Sequence, residues 1–374
     1  VTADGADEAP PHTLVVKVGS SSVTTADGRT DEEVVGRIAD EIAELHASGH
    51  RLVVVTSGAI AAGWSALAGG GPRPSDPAVL QAVSAVGQPG LMRTWQDCLG
   101  RHGLLAGQVL LAPLDFVHRQ QYLRARRTLG HLLELGVVPV VNENDAVSDE
   151  EIRFGDNDRL GALVAHLVGA ELLVLLTDTP GLLTADPRTF AEASLIEEVV
   201  EIDQQLEQMA GGPGTAMGSG GMASKLAAAK IATWSGVEAV IADAGRPGVL
   251  AAVVGREPGA GTVFRPRPRR LPARKLWIAF AVGATGSLVV DEGARRALVE
   301  RGRSLLPAGV VAVHGAFLPE DAVEIVGPDG NVFAKGLSRY ASGRSPEWVG
   351  RRSHELPEDL PHEVIHRDDL VVLT

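Results

Sequence analysis

Four short polar clusters hold the side-chain types that chemistry needs. The first is Lys17, followed by Val18, Gly19 and three serines, Ser20, Ser21 and Ser22. A loop of small residues lets backbone amides approach phosphate oxygens, and an ammonium supplies a compact charge beside them. It is not a Walker loop, because the lysine precedes the glycine and no GKS or GKT ending follows. The second cluster is Thr56, Ser57, Gly58 and Ala59, where Ser57 suits either a helix cap or a ligand contact. The third is the densest. Asn142, Glu143, Asn144 and Asp145 are followed ten residues on by Gly155, Asp156, Asn157 and Asp158. These donors and acceptors suit a small zwitterion: Asp145 fits an ammonium, and Asn157 fits either a carboxylate or an ammonium. The twelve-residue calcium loop with its terminal Glu is missing. The fourth cluster runs Gly218, Ser219, Gly220, Gly221, Met222, Ala223, Ser224 and Lys225. It reads as a flap over phosphates with Lys225 at the transferred group, or as a plain Gly/Ser loop.

The clusters fit one reaction. Phosphoryl transfer depends on positioning and charge neutralisation, so lysines, backbone amides and Mg²⁺ suffice. A carboxylate acceptor, ordinarily of pKa about 4.3, is ionised at neutral pH and needs no general base. None of the four clusters holds a histidine; an alcohol acceptor would call for a base beside it. Lysine is also scarce, with five (17, 225, 230, 275 and 335) among 34 Lys and Arg, which gives Lys17 and Lys225 added weight.

The elements behind these clusters read as strands alternating with helices. Apolar runs at 14–18, 52–56, 137–141, 172–177 and 237–242 each end in a polar loop. Strands apolar on both faces and separated by helices imply a parallel sheet covered on both sides. In such sheets the ligand lies beyond the carboxyl ends of the strands, where every cluster falls. Thr30 and Glu33 suggest a capping box opening a helix through Val34, Val35, Ile38, Ile42 and Leu45, closed by Gly49. The fold class expected is therefore α/β. A stretch alternating Pro with Arg at 264–272 reads as a linker. Closely spaced turn signals after it (Gly283, Gly286, Gly309, Gly315, Gly330) suggest a small β-rich domain.

Net charge of −13 argues against a nucleic-acid coat over the whole surface. A single cysteine, Cys98, rules out an intrachain disulfide framework and fits a reducing cytoplasm. The polar N-terminal segment lacks a signal pattern, and no apolar run is long enough to span a membrane.

The blocks VVKVGSSS, VVTSGAIAAG, LQAVSAVGQ, VVPVVNENDAV, FGDND, LLTDTPGLLTADPR and GSGGMASK, in that order, resemble the amino acid kinase superfamily and, within it, the gamma-glutamyl kinase branch. That resemblance implies a three-layer α/β/α kinase domain with a mainly parallel sheet over residues 13–263. A disordered extension at 1–12, a linker at 264–274 and a domain at 275–374 complete the expected organisation. The implied reaction is ATP-dependent phosphorylation of the L-glutamate γ-carboxylate, opening proline synthesis. Proline feedback, Mg²⁺ arriving with ATP rather than in a protein metal site, and a homo-oligomer (dimer or tetramer) are implied with it. By the same resemblance, Lys17, Lys225 and Asp158 are catalytic, with Asp158 orienting the lysines. Ser57, Asp145 and Asn157 hold glutamate. Lys17, Thr177, Asp178, Ser219, Gly220, Gly221, Met222, Ala223, Ser224 and Lys225 contact ATP. The tail resembles a PUA domain through Leu305 to Gly309, Gly315 to Phe317 and Ala334 to Tyr340. A stabilising or regulatory module is expected there. Its near-neutral charge and lack of an aromatic series argue against RNA as a partner.

Overall fold

The computed structural model describes residues 12–25, 27–68, 74–147, 157–185, 190, 192–209, 221–268, 270–357 and 359–373. The expected disordered extension, apart from His12, lies outside them. Two compact units divide the chain, residues 1–270 and 271–374.

Eight strands build the sheet of the first unit: β1 (Thr13–Val18), β2 (Arg51–Val55), β3 (Ala106–Leu111), β4 (Val138–Glu143), β5 (Leu172–Thr177), β6 (Glu198–Val199), β7 (Glu238–Asp243) and β8 (Thr262–Phe264). Their spatial order is β3-β4-β2-β1-β5-β7-β8-β6. All neighbours from β3 to β7 are parallel, and β8 runs antiparallel to β7. Hence β1, β2, β4 and β5 all end at one edge. The longer helices are α1 (Glu32–Ala47), α2 (Ala59–Ala68), α3 (Pro77–Gly100), α4 (Arg119–Glu134), α5 (Asn157–Val168), α6 (Met222–Trp234) and α7 (Val249–Val254).

Strand alternation sorts these helices into two layers. Leu14, Val16 and Val18 of β1, with Leu52, Val54, Val174 and Leu176, share one core with α1, α3 and α7. The opposite face carries Val15 and Lys17, and α5 packs there: a Cβ added at Gly161 would lie 3.3 Å from the Lys17 Cβ. Lys17 thus sits on the α5 side of the sheet because its parity in β1 puts it there. The α/β/α architecture with a mainly parallel sheet is the one expected.

The cap of α1 differs from expectation. Asp31, not Thr30, is the N-cap, and its Oδ1 accepts from the Glu33 and Val34 amides at 3.1 Å each. Thr30 is held in an isolated bridge with Thr24, which moves the cap one residue along.

Helices α2 and α3 meet backbone to backbone. A Cβ at Gly87 would lie 1.9 Å from the Ala59 carbonyl oxygen, and one at Gly63 would lie 2.0 Å from that of Val83. No rotamer relieves a clash with backbone, so only glycine allows this approach.

The second unit is β-rich, as its turn signals suggest. Strands β9 (Gly286–Val290), β10 (Val310–Gly315), β11 (Ala322–Val326), β12 (Val332–Leu337) and β13 (Leu370–Val372) form one sheet in the order β10-β9-β11-β12-β13. Helix α8 (Glu292–Arg301) adds Leu298 to a core with Phe317, Phe333, Tyr340 and Trp348. Gly315 has φ +83°, and a Cβ there would meet the Thr285 carbonyl at 2.6 Å, so glycine is required at the end of β10.

Replacing Gly87 by alanine is expected to lower the unfolding free energy by about 2–3 kcal/mol through overpacking, read by urea denaturation. An unchanged midpoint would show that α2 and α3 can move apart freely.

Candidate active site

Three charged side chains meet at the carboxyl edge of the sheet. Lys17 is the fifth residue of β1, Asp158 lies in the first turn of α5, and Lys225 lies in the first turn of α6. Lys17 Nζ contacts Asp158 Oδ1, and Lys225 Nζ lies 3.5 Å from Asp158 Oδ2. Ser224 donates its hydroxyl to Asp158 Oδ2 at 2.9 Å. All three charges are buried, Asp158 completely. Burial pushes the Asp158 carboxyl up. The ammonium groups of Lys17 and Lys225 and the Ser224 hydroxyl outweigh it, so the group lies below the ordinary carboxylate range. The trio of two ammoniums and one carboxylate itself carries one positive charge in a place shielded from water. Helices α5 and α6 begin here as well, and their first amides add partial positive charge. The arrangement suits the oxygens of a phosphate.

Gly161, one turn along α5 from Asp158, lies against the Lys17 stem, its nearest atoms being Lys17 Cβ and Cγ. Nothing local in the sequence marks Gly161; only the packing of α5 on β1 gives it meaning.

The other lysines have structural work. Lys230 pairs with Glu207 at 2.7 Å, Lys275 donates to the Arg367 carbonyl at 3.1 Å, and Lys335 donates to the Val282 carbonyl. Of five lysines, the two singled out by the clusters are the two that meet at Asp158.

Beside the charged group lies a chain of side-chain amides. Asn157 Nδ2 sits 2.6 Å from the Thr56 carbonyl, 2.8 Å from Asn142 Oδ1 and 2.9 Å from Ser57 Oγ. Asn142 in turn donates to Gln88 Oε1 at 2.8 Å. Asp145 Oδ2 accepts from the Ser84 hydroxyl at 2.8 Å. Trp95 anchors the end of β2 by donating its Nε1 to Thr56 Oγ1 at 3.1 Å. Sequence reasoning missed Ser84, Gln88 and Trp95, all from α3. The block LQAVSAVGQ contains the first two, but no local signal shows which strand ends they face.

On the β5 side, Thr177 donates to Asp178 Oδ1 at 3.1 Å, and Asp178 is exposed. Gly221 precedes α6, while Met222, Ala223 and Ser224 open it. Ser219 and Gly220 lie outside the described residues, as do Gly155 and Asp156. Among the described residues no three His, Cys, Asp or Glu side chains are placed to hold a metal.

Replacing Asp158 by asparagine takes a fully buried counter-charge away from two buried ammoniums and is expected to cost about 3 kcal/mol of stability near neutral pH. Because the folded carboxyl is lowered, its contribution is complete above the unfolded value of about 4 and falls away as pH drops toward the folded value. The stability gap between parent and D158N, measured by denaturant unfolding, should therefore narrow as the pH falls from 6 to 2. A gap that widened with acid would contradict the assignment.

The chain matches the amino acid kinase family over residues 12–243 and the PUA domain over residues 286–357. It is 45% identical over 363 residues to the glutamate 5-kinase of Syntrophotalea carbinolica, covering 96% of each chain. It is 46% identical over 360 residues to that of Rhodococcus jostii, again covering 96% of each. A solved isopentenyl phosphate kinase from T. acidophilum aligns with 68% of this chain and 100% of its own, at 17% identity and a TM-score of 0.47, a likeness too distant to bear on the site. The full-length relatives and the family match, together with a parallel sheet whose edge gathers two lysines on one carboxylate, lead to one assignment: the chain belongs to the amino acid kinase family, alongside the glutamate 5-kinases, and carries a C-terminal PUA domain.

Proposed function

We propose that the chain transfers the γ-phosphoryl group of ATP to the γ-carboxylate of L-glutamate, giving L-glutamyl 5-phosphate and ADP. The observation that carries this reading is the grouping of Lys17 and Lys225 on buried Asp158 at the ligand edge. A carboxylate oxygen attacks the γ-phosphorus, the bond from that phosphorus to the bridging oxygen breaks, and the electron pair leaves on ADP. Negative charge spreads over the equatorial oxygens during transfer, where two fixed ammoniums and two helix N-termini are worth most. The nucleophile is already ionised, so no base has to act.

Ser57, Asp145 and Asn157 hold glutamate in this reading. Thr177, Asp178 and residues 219–225 take the nucleotide. Mg²⁺, when bound, neutralises phosphate charge. The Asp158 oxygens already serve Lys17, Ser224 and Lys225, so the metal would come with the ATP phosphates rather than through Asp158. The 96% coverage of relatives named glutamate 5-kinase supports the choice of acceptor. With that acceptor come a place at the start of proline synthesis, proline as a feedback inhibitor competing for the glutamate pocket, a homo-oligomer and a cytoplasmic setting. Among the described residues no helix is long and apolar enough to cross a membrane. The PUA unit serves stability or regulation.

Hydroxylamine converts an acyl phosphate to a coloured hydroxamate, which reports the proposed bond directly. Incubation with MgATP and hydroxylamine should yield hydroxamate from L-glutamate and none from aspartate, N-acetylglutamate or carbamate. Lys225→Ala should lower turnover at least about a thousandfold, the scale of losing a major electrostatic contact in the transition state, with an unchanged circular dichroism spectrum. Hydroxamate from a different acceptor alone would overturn the glutamate assignment, and a fully active K225A would remove the role given to Lys225.

A further inference from the structure

Helix α3 reaches two of the residues assigned to glutamate, Asp145 directly and Asn157 through Asn142. Ser84 and Gln88 lie four residues apart, hence one turn apart on one face, and are only 4% and 7% exposed. Ser84 holds Asp145; Gln88 holds Asn142, and Asn142 holds Asn157. Gly87, between them, is the residue that lets α3 press against α2.

The amide chain has a fixed direction. One end of a side-chain amide only donates and the other only accepts, and neighbours decide which end is which. The Glu143 backbone N–H can only donate, and it lies 2.9 Å from one end of the Asn142 amide, so that end is Oδ1. The other end, Nδ2, then meets Gln88 Oε1 as a donor. The Thr56 carbonyl can only accept, and it lies 2.6 Å from one end of Asn157, so that end is Nδ2. The same nitrogen faces Asn142 Oδ1 at 2.8 Å, which agrees with the orientation set independently by Glu143. Two backbone groups, at the ends of β2 and β4, thus fix both amides consistently. Asn157 Oδ1 takes no part in these hydrogen bonds, all of which use Nδ2.

We infer that Ser84 and Gln88 are positioning residues through which the pocket reads a protonated amine: Asn157 offers an acceptor oxygen, and Asp145 offers a charged one. Sequence alone left Asn157 open between a carboxylate and an ammonium, and the direction of the amide chain selects the ammonium. The inference rests on the proposed glutamate reaction and adds how that pocket distinguishes an amino diacid from a plain diacid. Glutarate, the same five-carbon diacid without the amine, is the natural probe.

Steady-state hydroxamate kinetics with L-glutamate and with glutarate test this in the full-length parent and in Gln88→Met, Ser84→Ala and Gln88→Glu. The parent should favour glutamate strongly. Q88M and S84A should each raise the KM for glutamate about tenfold, the worth of one lost hydrogen bond to a polar or charged partner. The kcat and the KM for ATP should stay within about twofold, as expected when ground-state and transition-state binding are lost equally. Preference for glutamate over glutarate should fall by a similar factor, a change that a general loss of packing would not produce. Q88E keeps an acceptor oxygen toward Asn142 and should restore most of the preference. If Q88M does not fold by circular dichroism, S84A decides alone. A parent that uses glutarate as well as glutamate would overturn the inference. So would folded variants with an unchanged preference, or variants whose KM for ATP rises as much as that for glutamate. A parent that makes no hydroxamate from glutamate would instead defeat the proposed function, and this inference with it.

Discussion

Two like charges brought together away from water share a buried carboxylate, and the rest of the kinase unit follows from that constraint. Lys17 and Lys225 would repel each other strongly in a medium of low dielectric. Asp158, fully buried between them, replaces repulsion with two attractions and is itself kept ionised by them. Each member comes from a different element: a strand, the start of one helix and the start of another. The trio therefore exists only when β1, α5 and α6 are docked in register. Gly161 marks the tolerance of that docking, since even one methyl group there would press on the Lys17 stem.

The parallel sheet explains why these elements can meet. Strands β1, β2, β4 and β5 run the same way, so their polar ends share one edge with the first turns of α5 and α6. The two halves of the site use that edge differently. The β1 and α6 side concentrates positive charge, where the proposed reaction puts phosphate. The β2 and β4 side builds a directed chain of neutral amides, whose orientation is set by backbone groups that cannot reverse their roles. Helix α3 braces the second half from the opposite layer through Ser84, Gln88 and Trp95.

Much of this was legible in the chain before folding, for identifiable reasons. Five of the eight strands stand out because they are buried on both faces and read as unbroken apolar runs. Lys17 and Lys225 stand out because lysine is rare here and each adjoins a run of small residues in the sequence. Strand β3 escaped notice because it is an edge strand that begins with Ala106 and Gly107 and is only half buried, so its pattern is weak. Strand β8 has three residues, too few to show alternation, and runs into the Pro/Arg stretch. The α1 cap was misplaced by one residue, because both Thr30 and Asp31 can cap and only the bridge to Thr24 distinguishes them. The roles of Ser84, Gln88 and Gly161 depend on which element packs on which, and that information is not local.

The central claim, that Asp158 holds both lysine ammoniums, has a direct spectroscopic test because the chain has so few lysines. With lysine labelled by ¹⁵N at the side-chain nitrogen, at most five ammonium signals can arise. In the folded parent, two of them should be protected from hydrogen exchange, and both should shift or vanish together in Asp158→Asn while the other lysine signals stay in place. Loss of only one signal, or a spectrum that Asp158→Asn leaves unchanged, would contradict the account.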